Sequence, residues 1–230
     1  MKKKSNHFNL RGRLITREFP KSPISEQYRT IRTNIDFSMI DTQLKTLVCT
    51  SSSPAEGKST TCSNLAVTFA GTEKKILLVD ADLRKPTVHQ QFRIENMKGL
   101  TNVVTKNATL TETVVTTDIP NLSILTSGPI PPNPAELLNS KSMEAFIEEA
   151  KTNYDMVIFD MPPVLAVTDA QILGHVCDGV LLIVKSNQTK KEELIKAKDL
   201  LEKANAKIIG SVLHGVDPKE MTGQYYYYGK

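Results

Sequence analysis

Cysteine is scarce and scattered in this chain. Cys49, Cys62 and Cys177 are odd in number, and no two stand at metal-ligand spacing. That excludes a disulfide framework and a thiol-built metal site, so all three read as reduced thiols in or near a core. Long apolar runs are missing too: none approaches the roughly 20 residues that a membrane helix needs. The first residues lack the apolar stretch of a secretory leader. The expectation is a protein kept in the cytoplasm, reaching the inner face of the membrane only through a partner. An excess of one charge is also lacking. The formal net charge is +4, too mild for a nucleic-acid binder, and no nucleic-acid partner is expected. The small basic excess gathers at the start, in Lys2, Lys3, Lys4, Arg11, Arg13, Arg17 and Lys21. A solvated, frayed terminus is the plainer reading, and attraction to an acidic membrane face the sharper one. Neither repeats nor an internal linker are visible.

What is present suits one large domain. The chain has 230 residues, 40% of them hydrophobic and 23% charged, enough to bury a core without disulfides or metals. A basic segment, 1–23, precedes a domain over 24–222, and a tail follows over 223–230. Ile24, Tyr28, Ile31 and Ile35 stand at helical spacing. Apolar, β-branched runs then recur at Thr46–Thr50, Lys75–Val79, Leu122–Thr126, Met156–Phe159, Gly179–Val184 and Lys207–Leu213. Amphipathic stretches lie between most of them, clearest at Lys58–Ala70, Ser140–Asn153 and Lys190–Ala204. Strands that are apolar throughout are buried on both faces. The fold class is therefore α/β: a mostly parallel central sheet with helices on both faces. Pro129–Pro134 reads as a stiff loop.

The chemistry begins after the first run. Leu47-Val48-Cys49-Thr50 leads into Ser51-Ser52-Ser53-Pro54-Ala55-Glu56-Gly57-Lys58-Ser59-Thr60, and a helix pattern follows at once. Strand, loop, Gly-Lys-Ser and helix, in that order, make a phosphate loop. Backbone N–H groups of such a loop surround a polyphosphate, and the helix dipole favours its negative charge. Gly57 lets the backbone come close, Lys58 supplies a cation for the β- and γ-phosphates, and Ser59 offers a hydroxyl to Mg²⁺. The cradle for ATP is placed on Ser53, Glu56, Gly57, Lys58, Ser59 and Thr60. One departure stands out: the usual first glycine is Ser52.

Acidic groups follow two other runs. Ile76-Leu77-Leu78-Val79 is succeeded by Asp80-Ala81-Asp82-Leu83-Arg84, and Met156-Val157-Ile158-Phe159 by Asp160. Groups just past a buried parallel strand sit at the carboxyl edge of the sheet, where ligands bind. Mg²⁺ wants hard oxygens and keeps several waters. Ser59, Asp82 and Asp160 can supply or orient them, leaving Asp80 for another role. Arg84 can steady phosphate charge or form a surface salt bridge.

Two further features belong with these. Of six tyrosines, four are consecutive, Tyr225, Tyr226, Tyr227 and Tyr228. This cluster reads as a substrate segment on a tether, or else as an aromatic end packed on a neighbour. Glu26, Arg29 and Arg32, spaced by three on the first helix, are either an ordinary surface bridge or an interface.

Taken together, the phosphate loop, Asp80-x-Asp82-x-Arg84, Asp160 and the terminal tyrosines resemble the bacterial tyrosine kinases (BY-kinases) over essentially the whole chain. The resemblance makes Lys58 and Ser59 the phosphate and Mg²⁺ ligands of the first Walker motif. It makes Asp80 and Asp82 a second acidic motif with Asp80 as candidate base, and Asp160 the Walker B acid. Glu26, Arg29 and Arg32 match a Glu-x-x-Arg-x-x-Arg helix that joins subunits into a ring. Tyr225–Tyr228 match an autophosphorylated cluster; a tail reaches a neighbour's site in a ring more easily than its own, so transfer in trans is expected. The implied activator is the cytoplasmic tail of a separate membrane adaptor of polysaccharide export, with further protein substrates in polysaccharide synthesis. A partitioning-type switch ATPase shares the fold and the motifs. Such ATPases resemble one another in a second loop lysine, and here that position is Ser53. No guanine-reading Asn/Thr-Lys-x-Asp motif occurs, which argues against a GTPase.

Overall fold

Alternation along each strand decides the layers. The structure is a computed structural model and describes residues 12–38 and 43–217. Its strands are β1 (Thr46–Ser51), β2 (Ile76–Asp80), β3 (Val115–Thr116), β4 (Leu122–Leu125), β5 (Met156–Asp160), β6 (Gly179–Lys185) and β7 (Ile208–His214). Among the described residues they form one sheet in the order β3-β4-β2-β5-β1-β6-β7. Only the β3–β4 pairing is antiparallel. The helices are α1 (Ile15–Glu18), α2 (Pro23–Ser38), α3 (Lys58–Ala70), α4 (Val88–Phe92), α5 (Leu100–Val104), α6 (Leu110–Thr113), α7 (Pro134–Leu138), α8 (Lys141–Asn153), α9 (Asp169–Val176) and α10 (Lys191–Lys203).

Successive strand residues point to opposite faces. Leu47, Cys49, Ile76, Leu78, Met156 and Ile158 join a core shared with Tyr28 and Ile35 of α2 and Leu65 and Phe69 of α3. Val48, Leu77, Val79, Val157 and Phe159 join the other, with Phe146 of α8, Leu173 of α9 and Leu201 of α10. Burial on both faces is why these strands read as unbroken apolar runs. All three cysteines are free and buried. No helix among the described residues is long and apolar enough to cross a membrane.

Two expectations need correction, and one strand was not expected. The basic segment 1–23 is not solvated along the part described. Leu14 and Ile15 are buried, Thr16 N–H donates to Asn64 Oδ1 on α3 at 3.0 Å, and Asn64 Nδ2 donates to the Arg13 carbonyl at 3.0 Å. The apolar pair Leu14-Ile15 anchors the segment while Arg17 stays exposed. The proline loop ends one residue early, because Pro134 is the first residue of α7, where its fixed φ suits a helix start. The edge strand β3 went unforeseen, since two residues carry no readable period. Residues 1–11 and the tyrosines Tyr225–Tyr228 lie outside the described residues.

The crossover from β1 through α3 enters β2 beyond β5, so β5 lies between β1 and β2. The carboxyl ends of β1, β2 and β5 therefore converge, and with them the phosphate loop, Asp80 and Asp160.

Candidate active site

Asp80 and Asp160 are register partners at the ends of β2 and β5. By alternation both follow Ile76/Leu78 and Met156/Ile158 onto the α3 face. Lys58, the first residue of α3, meets them there. Its Nζ donates to Asp82 Oδ2 at 2.9 Å and stands 3.6 Å from Asp160 Oδ1. It also donates to Ser59 Oγ at 3.2 Å. Burial opposes the ammonium charge, but Asp160 and Asp82 outweigh it and hold Lys58 protonated, above its ordinary range. The structure thus brings together Lys58, Ser59, Asp80, Asp82 and Asp160, residues drawn from three separate stretches of sequence.

The two aspartates of the second acidic motif are held differently. Asp80 is fully buried, and its Oδ2 accepts the N–H groups of Thr87 and Val88, each at 2.9 Å. Its Oδ1 has no partner. Burial, then the charge of Asp160, pushes its carboxyl up to about 8. Asp82 accepts the Lys85 N–H at Oδ1, 3.0 Å, leaving Oδ2 to Lys58. Neither oxygen of Asp160 has a hydrogen-bond partner, and burial raises its carboxyl against the pull of Lys58. Unpaired buried carboxylate oxygens are costly, and a cation relieves that cost.

Two carboxylates and a hydroxyl fit Mg²⁺, which usually takes one or two carboxylates and completes its shell with water and phosphate oxygens. An all-protein metal cage is a different matter: among the described residues no group of three or more His, Cys, Asp or Glu could hold a metal ion.

The loop itself explains the missing glycine. Ser52 does not have a positive φ; Ala55 (φ 64) and Gly57 (φ 90) do. Ser52 Oγ instead donates to Glu56, at 3.0 Å to Oε1 and 2.9 Å to Oε2. The Ser53 N–H donates to the same carboxylate at 3.1 Å, as does Thr189 Oγ1 at 2.5 Å. Glu56 is buried and braces the loop from within, tying it to the segment before α10. Ser53 Oγ donates to Glu193 of α10 at 3.0 Å. Gly57 caps α3 in the left-handed region with no side-chain cap bond, which leaves the first N–H groups of the helix, including those of Ser59 and Thr60, open to an anion.

Arg84 is engaged elsewhere. Its Nε donates to Asp169 Oδ2 at 2.9 Å and its Nη2 to Oδ1 at 3.0 Å, a bidentate pair with a fully buried carboxylate at the start of α9. Sequence reasoning missed Asp169. It missed His214 as well, whose Nδ1 lies 3.3 Å from Thr61 Oγ1 across 153 residues of chain. Neither belongs to a local motif, so only a fold could have paired them. On α2, Glu26 and Arg29 form an ion pair, and Arg32 Nη1 donates to the Thr68 carbonyl of α3 at 3.3 Å.

Comparison with known proteins agrees with this geometry. Residues 45–209 match the family model described as "AAA domain". Tyrosine-protein kinase YwqD of Bacillus subtilis (strain 168) is 51% identical over 227 residues, 99% of this chain and 95% of the relative. The crystal structure of the chimerical protein CapA2B2 superposes with a TM-score of 0.84 at 44% identity, over 87% of this chain and 88% of that one. The kinase domain of the Escherichia coli tyrosine kinase ETK does so with a TM-score of 0.86 at 32% identity, over 94% and 84%. A P-loop ATPase fold, a phosphate loop facing three strand-end aspartates and a relative alike from end to end agree: the chain belongs to the bacterial tyrosine-protein kinases and is an enzyme of that class.

Proposed function

We propose that this chain is an ATP-dependent tyrosine autokinase acting on Tyr225–Tyr228 of a neighbouring copy. The observation that carries the reading is the convergence of Lys58, Asp82 and Asp160 beneath the open N-terminus of α3. Phosphoryl transfer needs neutralised charge and an acceptor placed in line. Lys58 offers the cation. The α3 N–H groups and the loop from Ser53 to Thr60, braced by Glu56, offer the cradle. Ser59, Asp82 and Asp160 would hold Mg²⁺. When bound, Mg-ATP supplies the phosphoryl group.

A tyrosine hydroxyl has a pKa of about 10 and gains from a nearby base. Asp80 in its ionised form is the proposed base, a minority of the nucleotide-free protein near neutral pH, and its one position for a proton is the unpaired Oδ1, since Oδ2 is filled by Thr87 and Val88. Arg84 would act through the Asp169 pair, placing the segment after Asp82 rather than touching phosphate.

Transfer in trans is supported by the sheet order. The described chain ends at Asp217, beyond β7. From there β2 is four strands away, about 19 Å at the usual strand spacing. A tail entering its own site would have to cross the phosphate loop after β1, whereas a neighbour's tail need not. Glu26, Arg29 and Arg32 of α2 are the proposed contact of a ring, Glu26 from the exposed side and Arg32 from beside α3, where it also bonds the Thr68 carbonyl. Each phosphate adds roughly −1.5 to −2 charges, so a modified tail is repelled from the acidic site and the ring loosens. A membrane adaptor with a cytoplasmic tail as activator, recruitment from the cytoplasm to the inner membrane face, and other protein substrates in capsular or extracellular polysaccharide synthesis complete the reading. It is supported by likeness to the chimerical protein CapA2B2.

The test is incubation with Mg-ATP, with and without an adaptor peptide, and phosphosite mapping by mass spectrometry beside Lys58→Met. Phosphate on Tyr225–Tyr228, lost in the variant, is expected. ATP hydrolysis with an unmodified tail, adaptor present, would replace the kinase with a switch ATPase.

A further inference from the structure

Gly57 is hemmed in by a residue that no motif includes. A Cβ at position 57 would lie 2.4 Å from His214 Cδ2 and 2.6 Å from its Nε2. The imidazole at the end of β7 therefore packs directly on the α-carbon that precedes Lys58. With φ +90° at Gly57, the loop is open on that side to many conformations, and the ring closes it.

The ring is held in turn. His214 Nδ1 is 3.3 Å from Thr61 Oγ1. Thr61 is fully buried in the first turn of α3, and its N–H donates to the Gly57 carbonyl at 2.9 Å. Tyr28, buried on α2, brings its phenol up to the same hydroxyl. The carbonyl of His214 accepts the Ser186 N–H at 2.9 Å, fixing the strand end that carries the ring. Burial, then the charge of Lys185, keeps the imidazole neutral, down to about 4. A neutral ring adds no cation to a phosphate site; it adds shape.

We propose that His214 is a positioning residue of the phosphate loop, held by Thr61 and Tyr28, so that a hydroxyl on α2 sets the order of the loop that receives nucleotide phosphate. The chain Tyr28–Thr61–His214–Gly57 crosses from α2 through α3 to the edge of β7. Tyr28 sits on the helix that carries Glu26, Arg29 and Arg32. Any contact that shifts α2 thus reaches Gly57 through one buried hydroxyl. The proposal rests on the reading of the loop as a nucleotide site.

The test measures Mg-ADP affinity by calorimetry for the wild type, Tyr28→Phe, His214→Ala and the double variant, with thermal unfolding of each nucleotide-free protein alongside. Tyr28→Phe keeps its ring in the core and loses only the hydroxyl, so it is the variant that folds in any case. Expected are a roughly tenfold rise in Kd for His214→Ala, a several-fold rise for Tyr28→Phe, and a double variant no weaker than His214→Ala alone, as for members of one chain. In turnover, KM for ATP rises while kcat changes little, a split that general loosening of the fold would not give. A wild type that binds Mg-ADP, with both variants within twofold of it, overturns the latch. So does a double variant whose loss is the product of the single losses. A wild type that does not bind Mg-ADP overturns instead the nucleotide-site reading, and the latch with it.

Discussion

Asp80 and Asp160 end neighbouring parallel strands side by side, in register and without solvent exposure. Two such carboxylates, about 4.8 Å apart by strand spacing, repel each other where water cannot screen them. One ammonium, Lys58, faces the pair. The nucleotide-free site is therefore short of positive charge, which suits a cation arriving with the nucleotide.

Asp80→Asn stabilises the nucleotide-free protein, and increasingly so as pH rises. The carboxyl titrates near 8 in the fold and near 3.9 unfolded. Below about 4 both states are protonated and the wild-type contribution is complete. Between about 4 and 8 the unfolded chain alone loses its proton, so wild-type stability falls across that window. Asn mimics the neutral acid throughout. Thermal unfolding should show little difference at pH 4 and a gain of at least about 4 °C at pH 8.5. Equal differences at the two pH values would mean that Asp80 is already ionised. Tail phosphorylation should drop at least a hundredfold in the same variant.

Lys58→Met acts in the opposite sense. It leaves Asp82 and Asp160 buried without their cation, a loss of about 3 kcal/mol at neutral pH. The penalty shrinks at lower pH, where Asp160, whose carboxyl burial already raises, can take up a proton instead. Denaturant unfolding at the two pH values checks this, and a pH-independent loss counts against the ion cluster.

Restoring the usual glycine at position 52 weakens the loop here. Ser52 needs no positive φ, and its hydroxyl donates to the buried Glu56 carboxylate. Ser52→Gly should cost about 1–3 kcal/mol through the under-satisfied carboxylate. Ser52→Gly combined with Glu56→Gln should recover part of it. Unfolding of the two variants decides the point; no recovery means that the serine acts through backbone stiffness instead.

Arg84→Ala strands the fully buried carboxylate of Asp169. Breaking one side of such a pair costs about 3 kcal/mol, while Arg84→Ala with Asp169→Asn removes both charges and should be less damaging than the single change. Arg84→Lys should fall between, having lost the bidentate fork. A phosphate-binding arginine would give a different pattern: normal stability, raised KM for ATP, and no recovery in the double variant.

The order of elements and the candidate site groups were written locally. Gly57-Lys58-Ser59 after an apolar strand, Asp80 and Asp82 after a second and Asp160 after a third are short-range patterns, because a residue just past a parallel strand is placed at the sheet edge whatever the rest of the chain does. The face of α2 was equally legible: Ile24, Tyr28, Ile31 and Ile35 point to the α3 side of the sheet, as their spacing says. What only the tertiary structure decided is which distant residues complete those groups. The strand order seated Asp80 directly against Asp160 and raised its carboxyl. The arrival of α9 turned Arg84 toward Asp169, and the return of β7 laid His214 on Gly57. Such contacts join positions far apart in sequence, and one buried histidine or aspartate carries no period and no neighbour motif to announce its partner. Their chemistry is set by burial and by charges on other elements, and these exist only once the sheet has closed.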